Sequence, residues 1–275
     1  LQTKILRRPV VGSMHALVWW GFILILFGSL EMVFDGLFGT ERVFSFMGPL
    51  YDFVMAAGDI AAFAITILIL AFLFRRVFMH IKRFYGPEMK PVSKMDANLA
   101  LTIILMLMIT LLGMNVYYIL WCESTGTIIH GSYPVSKLIA ALFNSSPAYN
   151  LWTVYQINWW AHILWIFIFA NILPYSKHFH VFMSVPNVFF SDMKPMGYVE
   201  NMESITKEVK LMMDPDAAFE DDPEADESEP ERFGVKDVED LNWINYFNSL
   251  ACTECGRCTS SCPANITGKL LSPRK

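Results

Sequence analysis

The sequence predicts an all-α protein: a membrane bundle of four transmembrane helices with both chain ends cytoplasmic, followed by a small α-helical, cysteine-rich module. Three observations predict it. Of the 275 residues, 54% are hydrophobic and only 17% charged, with mean hydropathy +0.39, too apolar and too charge-poor for an ordinary water-soluble domain. Four runs are long and apolar enough to cross a bilayer, which takes about 20 residues. Four of the five cysteines fall between positions 252 and 262. The net charge of −5 is an average that hides a strongly acidic segment.

The predicted spans are residues 13–34, 50–79, 97–121 and 152–174. Backbone polar groups in lipid must pair within their own segment, so these runs are helices. Residues 1–12 carry Lys4, Arg7, Arg8 and Pro9 without a cleavage site and do not read as a secretory signal. Orientation follows the basic residues. The second connection holds Arg75, Arg76, Lys82, Arg83, Lys90 and Lys94 against Glu88, and belongs in the cytoplasm. The first connection has Arg42 as its one base and the third has Lys137, so both belong outside. Residues 133–143 read as a short helix on the outer surface.

Beyond the fourth span, "YSKHFHVFMSVPNVFFSDMKP" is aromatic and amphipathic and reads as an interfacial segment. Residues 203–213 read as a short helix. Residues 214–231 hold ten acids, three prolines and no base. Such a stretch cannot bury a core and is a solvated linker. From 232 onward an apolar face returns, with Asp240 as the expected cap of a helix bearing Trp243, Ile244 and Phe247. Three parts follow: a membrane domain over 1–180, an interfacial segment and linker over 181–231, and a cysteine module over 232–275.

Cys252, Cys255, Cys258 and Cys262 are spaced C-x2-C-x2-C-x3-C and followed by Pro263. Thiolates at steps of three wrap one face of a cubane, and this is the bacterial ferredoxin spacing for a [4Fe–4S] cluster. Zinc is disfavoured, since its C-x2-C pairs are usually well separated. In two-cluster ferredoxins the fourth cysteine of such a run ligates the other cluster, and a second run is not present here. Cys122, at the outer end of the third span, cannot complete it. Either one cluster takes all four cysteines or two clusters form with a C-terminal continuation. The abrupt "GKLLSPRK" end favours the continuation.

Ionisable groups in a bilayer are costly and tend to be functional. His162 lies inside the fourth span, His178 and His180 follow at its cytoplasmic end, and His15 opens the first span. A b-type haem needs two imidazoles on facing helices, and bundle cores hold such sites. If one helix runs on through Pro174, His162 and His180 share a face about five turns and about 27 Å apart. The expected pair is His15 with His180, near the cytoplasmic side, and His178 is the reserve ligand. His162 is either a ligand of a second haem, with His130 a candidate partner, or a hydrogen-bonded bundle residue. His80 reads as snorkelling beside its basic neighbours. Asp59 reads as bundle-facing and hydrogen-bonded, with carriage of quinone protons as its functional alternative. Trp19, Trp20, Trp159 and Trp160 read first as interfacial anchors and second as pocket walls.

With "SMHALVWWGF", "WWAHILWIF", "PYSKHFHVF", "VPNVFF" and "LACTECGRCTSSCPA" in view, the chain resembles a known family. It is similar to the membrane-bound iron–sulfur reductases that fuse a nitrate-reductase-gamma-like cytochrome b domain to a heterodisulfide-reductase-like ferredoxin part. The electron-transfer-flavoprotein:menaquinone oxidoreductases belong to that group. The resemblance covers nearly the whole chain apart from the acidic linker. It implies haem b held at His15, His162 and His178 or His180, a second cysteine run and cysteine-rich domains further on. It also implies menaquinone as substrate, a cytoplasmic donor such as an electron-transfer flavoprotein, and the cytoplasmic membrane of a prokaryote. Nucleic acid is not an expected partner. In the gamma-subunit relatives the first ligand helix carries two histidines, whereas here it carries His15. The expected function is electron transfer between a cytoplasmic donor and the quinone pool, and the rival is a non-catalytic anchor that docks a larger redox complex.

Overall fold

The computed structural model describes residues 3–81, 85, 89–143, 148–191, 193–195, 198, 201–213 and 236–274. The acidic linker 214–231, and Lys82, Arg83 and Glu88 of the basic connection, lie outside the described residues. No strand occurs among the described residues. The chain divides into two units, Leu1–His178 with Glu254–Lys275, and Phe179–Thr253.

The first unit opens with a single turn, α1 (Thr3–Leu6), and then α2 (Pro9–Phe38), α3 (Pro49–Val77), α4 (Pro91–Thr125), α5 (Pro134–Ala140) and α6 (Ala148–Ile172). Helices α2 to α5 each start on a proline, whose missing N–H costs nothing in the first turn. Helices α2 and α4 end on Gly39 and Gly126 in the left-handed conformation, each donating its N–H back to a carbonyl of the last turn. Helices α2, α3 and α4 and the segment Asn150–Tyr175 are long and apolar enough to cross a membrane. Helices α2 and α4 and the fourth segment outrun the predicted spans by a few residues, because a helix continues through the interface after its apolar run stops, whereas α3 ends at Val77, two residues short of its predicted end.

Helix α4 is the spine of this unit. It packs against both α3 and α6, while α2 packs on α3. In its most apolar stretch 39% of residues are buried, against 11% in the fourth span. Large apolar side chains such as Phe22, Ile67, Leu164 and Phe167 remain exposed on the outer faces, as a lipid-facing surface requires. Apolar burial does not drive helices together in lipid, so close packing and polar contacts must. At Gly21 an added Cβ would press on Ile65 and Ala61, and at Gly113 it would strike the Asn158 side chain. Arg76 Nε donates to Asn98 Oδ1 at 2.9 Å, linking α3 to α4.

The expected short helix is present as α5. Its N-cap residue, Tyr133, supplies no side-chain cap. Asp59 of α3 does so instead, accepting from Val135 N at 2.8 Å, Ser136 N at 2.9 Å and the Ser136 hydroxyl. Asp59 is 2% exposed, so the bundle-facing, hydrogen-bonded expectation holds.

The end of the fourth span corrects one expectation. Helix α6 stops at Ile172, a 3₁₀ turn spans Leu173–Tyr175, and Ser176 is extended at φ −104, ψ 155. A second 3₁₀ turn, Lys177–Phe179, precedes α7 (His180–Phe189). Pro174 has no N–H and its ring crowds the preceding turn. One continuous helix carrying His162 and His180 on a shared face does not form.

The second unit contains α7, α8 (Glu203–Met213) and α9 (Trp243–Leu250). Helix α7 packs on α9 through Phe190, Trp243 and Phe247, whose rings meet edge-to-face at 5.3 to 6.0 Å. Asn187 Nδ2 donates to Asn248 Oδ1 at 2.8 Å. The cap of α9 is Asn242, which accepts from Asn245 N, and not Asp240. Asp240 is drawn into a 3₁₀ turn, where it forms a capping box with Asp237.

Candidate functional site

Within the cysteine run the chain bends sharply. Glu254 (φ 49) and Gly256 (φ 72) both adopt the left-handed conformation. Cys258 then lies on α10 (Arg257–Ser261), and Cys262 joins it to α11 (Pro263–Ile266). Cys252 belongs to the second unit and Cys255, Cys258 and Cys262 to the first. All four thiols are free. Cys252 and Cys258 are exposed, Cys255 and Cys262 half-buried. Among the described residues, no three His, Cys, Asp or Glu side chains converge as metal ligands. The donor set nevertheless suits a cluster by its chemistry, since all four thiols are free and none is fully buried.

Glu254 ties this loop to the membrane bundle. Its carboxylate accepts from the Ser93 hydroxyl and from Lys177 Nζ, both at 2.6 Å. Lys177 N in turn donates to Asp96 at 3.0 Å. Ser93 and Asp96 sit in the first turns of α4, and Lys177 follows the end of α6. Burial pulls the Glu254 carboxyl upward, but the bonds from Lys177 and Ser93 outweigh it and hold it below the usual carboxylate range. A depressed pKa means that the ionised form is the stabilised one, so the latch is closed at neutral pH.

The histidines differ in burial. His162 is 2% exposed. Its Nδ1 lies 3.0 Å from the Leu107 carbonyl and 3.1 Å from Thr110 Oγ1. The tautomer that donates Nδ1–H to the carbonyl leaves Nε2 as the free lone pair, an orientation that suits a metal ligand. The complete packing of the ring suits the bundle residue of the second alternative. His15 on α2, His178 on the turn after α6 and His180 at the start of α7 are half-buried. His178 meets Phe169 edge-on at 6.3 Å and donates its N–H to Ser176 Oγ. His130 is exposed in the connection between α4 and α5. His80 stacks on Tyr85 at 4.2 Å.

A buried polar cluster occupies the end of the bundle that carries the Arg42 loop and α5. Glu31 accepts from the Tyr51 hydroxyl at 2.8 Å and from Phe44 N at 3.0 Å, with Arg42 Nη1 3.9 Å away. Tyr118, Tyr133 and Tyr155 surround it. From sequence, Arg42 counts only as the lone base of its loop. The available signal was the row of acids Glu31, Asp35 and Asp59 in otherwise apolar runs. Beside this cluster a groove of about 280 Å³ is walled by Trp152, Tyr155, Trp159 and Trp160, with Asp35 and Glu41 at its rim. Trp20 and Trp160 are more than half exposed, as interfacial anchors are.

No family model matches the chain, and no solved structure matches it. Two curated proteins are similar to it. The probable iron–sulfur-binding oxidoreductase FadF of Bacillus subtilis is 31% identical over 275 residues, covering 99% of this chain and 34% of that protein. The EtfAB:quinone oxidoreductase of Syntrophomonas wolfei is 25% identical over 286 residues, covering 99% of this chain and 35% of that protein. The chain therefore spans about a third of the length of the curated relatives it matches.

Proposed function

We propose that this chain is the membrane and cluster-bearing part of an iron–sulfur oxidoreductase that passes electrons between a cytoplasmic donor, such as an electron-transfer flavoprotein, and the quinone pool. The observation that carries this reading is the cysteine run 252–262 following a four-helix bundle that contains ionisable groups in its interior. The names of the two relatives support it: one is an iron–sulfur-binding oxidoreductase, the other acts between EtfAB and quinone. A [4Fe–4S] cluster bound at Cys252, Cys255, Cys258 and Cys262 would supply one-electron transfer at the cytoplasmic surface.

The residues of this chain have distinct tasks in that scheme. Glu254, Ser93 and Lys177 hold the cysteine loop at the bundle end where α4 begins and α6 ends. Asp96 fixes the backbone next to His178. Haem b is assigned to His15 with His180, and His178 is the reserve. His162, with its Nδ1 anchored to Leu107, is the candidate for a second haem. The cytoplasmic membrane of a prokaryote, with the cluster inside, fits the basic residues Arg75, Arg76, Lys90 and Lys94 at that end.

The close packing of His162 favours one rival, a haem-free membrane anchor for a larger redox complex. A reduced-minus-oxidised optical spectrum of the purified chain separates the two. Haem b bands, lost in His15→Ala and His180→Ala, support the electron-transfer reading, and a spectrum without porphyrin supports the anchor.

A further inference from the structure

Arg42 lies in the connection between α2 and α3, yet it is only 7% exposed. Its backbone is left-handed at φ 54, a region costly for a non-glycine residue. Asp35 holds it there, accepting from Arg42 N at 2.8 Å, Val43 N at 3.1 Å and the Thr40 hydroxyl at 2.8 Å. The loop so wound turns the guanidinium inward, 4.6 Å over the Tyr118 ring and 5.4 Å from that of Tyr133. Nη1 faces Glu31. Nη2 is buried and has no hydrogen-bond partner among the described residues. A buried charged donor left unmatched is costly, and this one is held in place by a strained, well-bonded loop.

Arg42 also lines a half-open cavity between α2, α3 and α4 with a volume of about 40 Å³. Asp59, Asn115 and Tyr133 share its polar end. Gly28 of α2 and Gly58 of α3 form part of its walls, and a Cβ added at either would meet nothing within 4 Å. Leu24 and Val54 also line it, and Leu24 is 41% exposed on the lipid face. That volume admits an oxygen atom with a water or two, and the cavity is otherwise open. Glu31 faces the guanidinium and Asp59 lines the same cavity, and two carboxylates at one site repel an anionic headgroup and favour a neutral acceptor. A neutral oxygen acceptor that arrives from lipid on a flat ring is a quinone carbonyl.

We propose that this cavity is a headgroup site for a membrane quinone. One ring carbonyl accepts from Arg42 Nη2, the ring lies at Gly28 and Gly58, and the tail leaves past Leu24 and Val54. The site deepens the quinone-linked reading above and rests on it.

The test uses the full chain in nanodiscs of phosphatidylcholine, titrated with 2-methyl-1,4-naphthoquinone labelled with carbon-13 at its carbonyls. The expected result is saturable binding with the C=O stretch of one carbonyl lowered by its hydrogen bond. Arg42→Gln removes that lowering and weakens binding at least tenfold. Gly58→Leu and Gly28→Leu grow into the open space of the cavity wall, where an added Cβ meets nothing within 4 Å, so they keep the helical content and abolish binding. Wild-type binding and an unchanged stretch in all three variants would overturn this site and leave the quinone-linked function standing. Failure of the wild-type chain to bind any quinone would overturn both. A tightly held phospholipid, released by Gly58→Leu in place of quinone, would also overturn the proposal.

Discussion

Asp59 gives the sharpest prediction about the bundle. Replacing it with alanine strips the acceptor from Val135 N and Ser136 N, at 2.8 and 2.9 Å, and from the Ser136 hydroxyl. Ser136 is fully buried, so water does not take over. Each orphaned amide costs about 1–3 kcal/mol, giving roughly 2–6 kcal/mol for the two. Removing a buried carboxylate returns part of its desolvation cost, so the expected net loss is about 2–4 kcal/mol. Asp59→Asn keeps the shape and one acceptor oxygen, and about half that loss is expected. The assay is SDS or thermal unfolding of the purified chain followed by circular dichroism, together with hydrogen exchange at Val135 and Ser136. Those two amides should exchange markedly faster in Asp59→Ala. Stability within about 0.5 kcal/mol of wild type, with unchanged exchange, would refute the capping role. A stable variant that had lost only quinone turnover would instead mark Asp59 as a proton carrier.

Other outcomes follow from the same geometry. Glu254→Gln, or Lys177→Ala, should raise protease sensitivity around residues 250–262 while the bundle keeps its helicity; the stability change should be small, about 0.2–1 kcal/mol, because the pair is partly exposed. Gly113→Leu should weaken packing of α6 on α4 by about 1–3 kcal/mol, since the new side chain must displace Asn158; unchanged thermal unfolding would contradict the close approach. Serine at any one of Cys252, Cys255 and Cys258 should lower bound iron and acid-labile sulfide after anaerobic reconstitution, read by colorimetric assay; full occupancy in all three variants would rule out the cluster assignment.

The long helices were legible because lipid imposes one rule on the backbone and composition reports it. The helices begin at the prolines of positions 9, 49, 91 and 134, where the apolar runs alone had put the starts at 13, 50, 97 and 133. The break after α6 was visible as Pro174, but the periodicity linking His162 to His180 hid its consequence. The cap of α9 was misplaced by two residues because Asp240 and Asn242 are both good caps, and the choice depends on how Asp237 closes its own turn. The acids of the Arg42 and Glu31 cluster left a signal in their apolar runs, but the inward turn of Arg42 was not legible. Nothing local distinguishes a loop arginine that faces solvent from one that Asp35 winds inward. The Glu254 latch was hidden for a related reason: it joins residues 77 and 161 positions apart in sequence, and no spacing rule reaches that far.

The most direct test of the electron-transfer account is a single preparation of the purified chain assayed for iron, acid-labile sulfide and the pyridine haemochrome. The account predicts sulfide-bound iron together with protohaem, and in His15→Ala loss of the haem assigned to His15 and His180 with the sulfide-bound iron retained. Sulfide-bound iron with no porphyrin in any preparation would contradict it and leave an anchored cluster carrier.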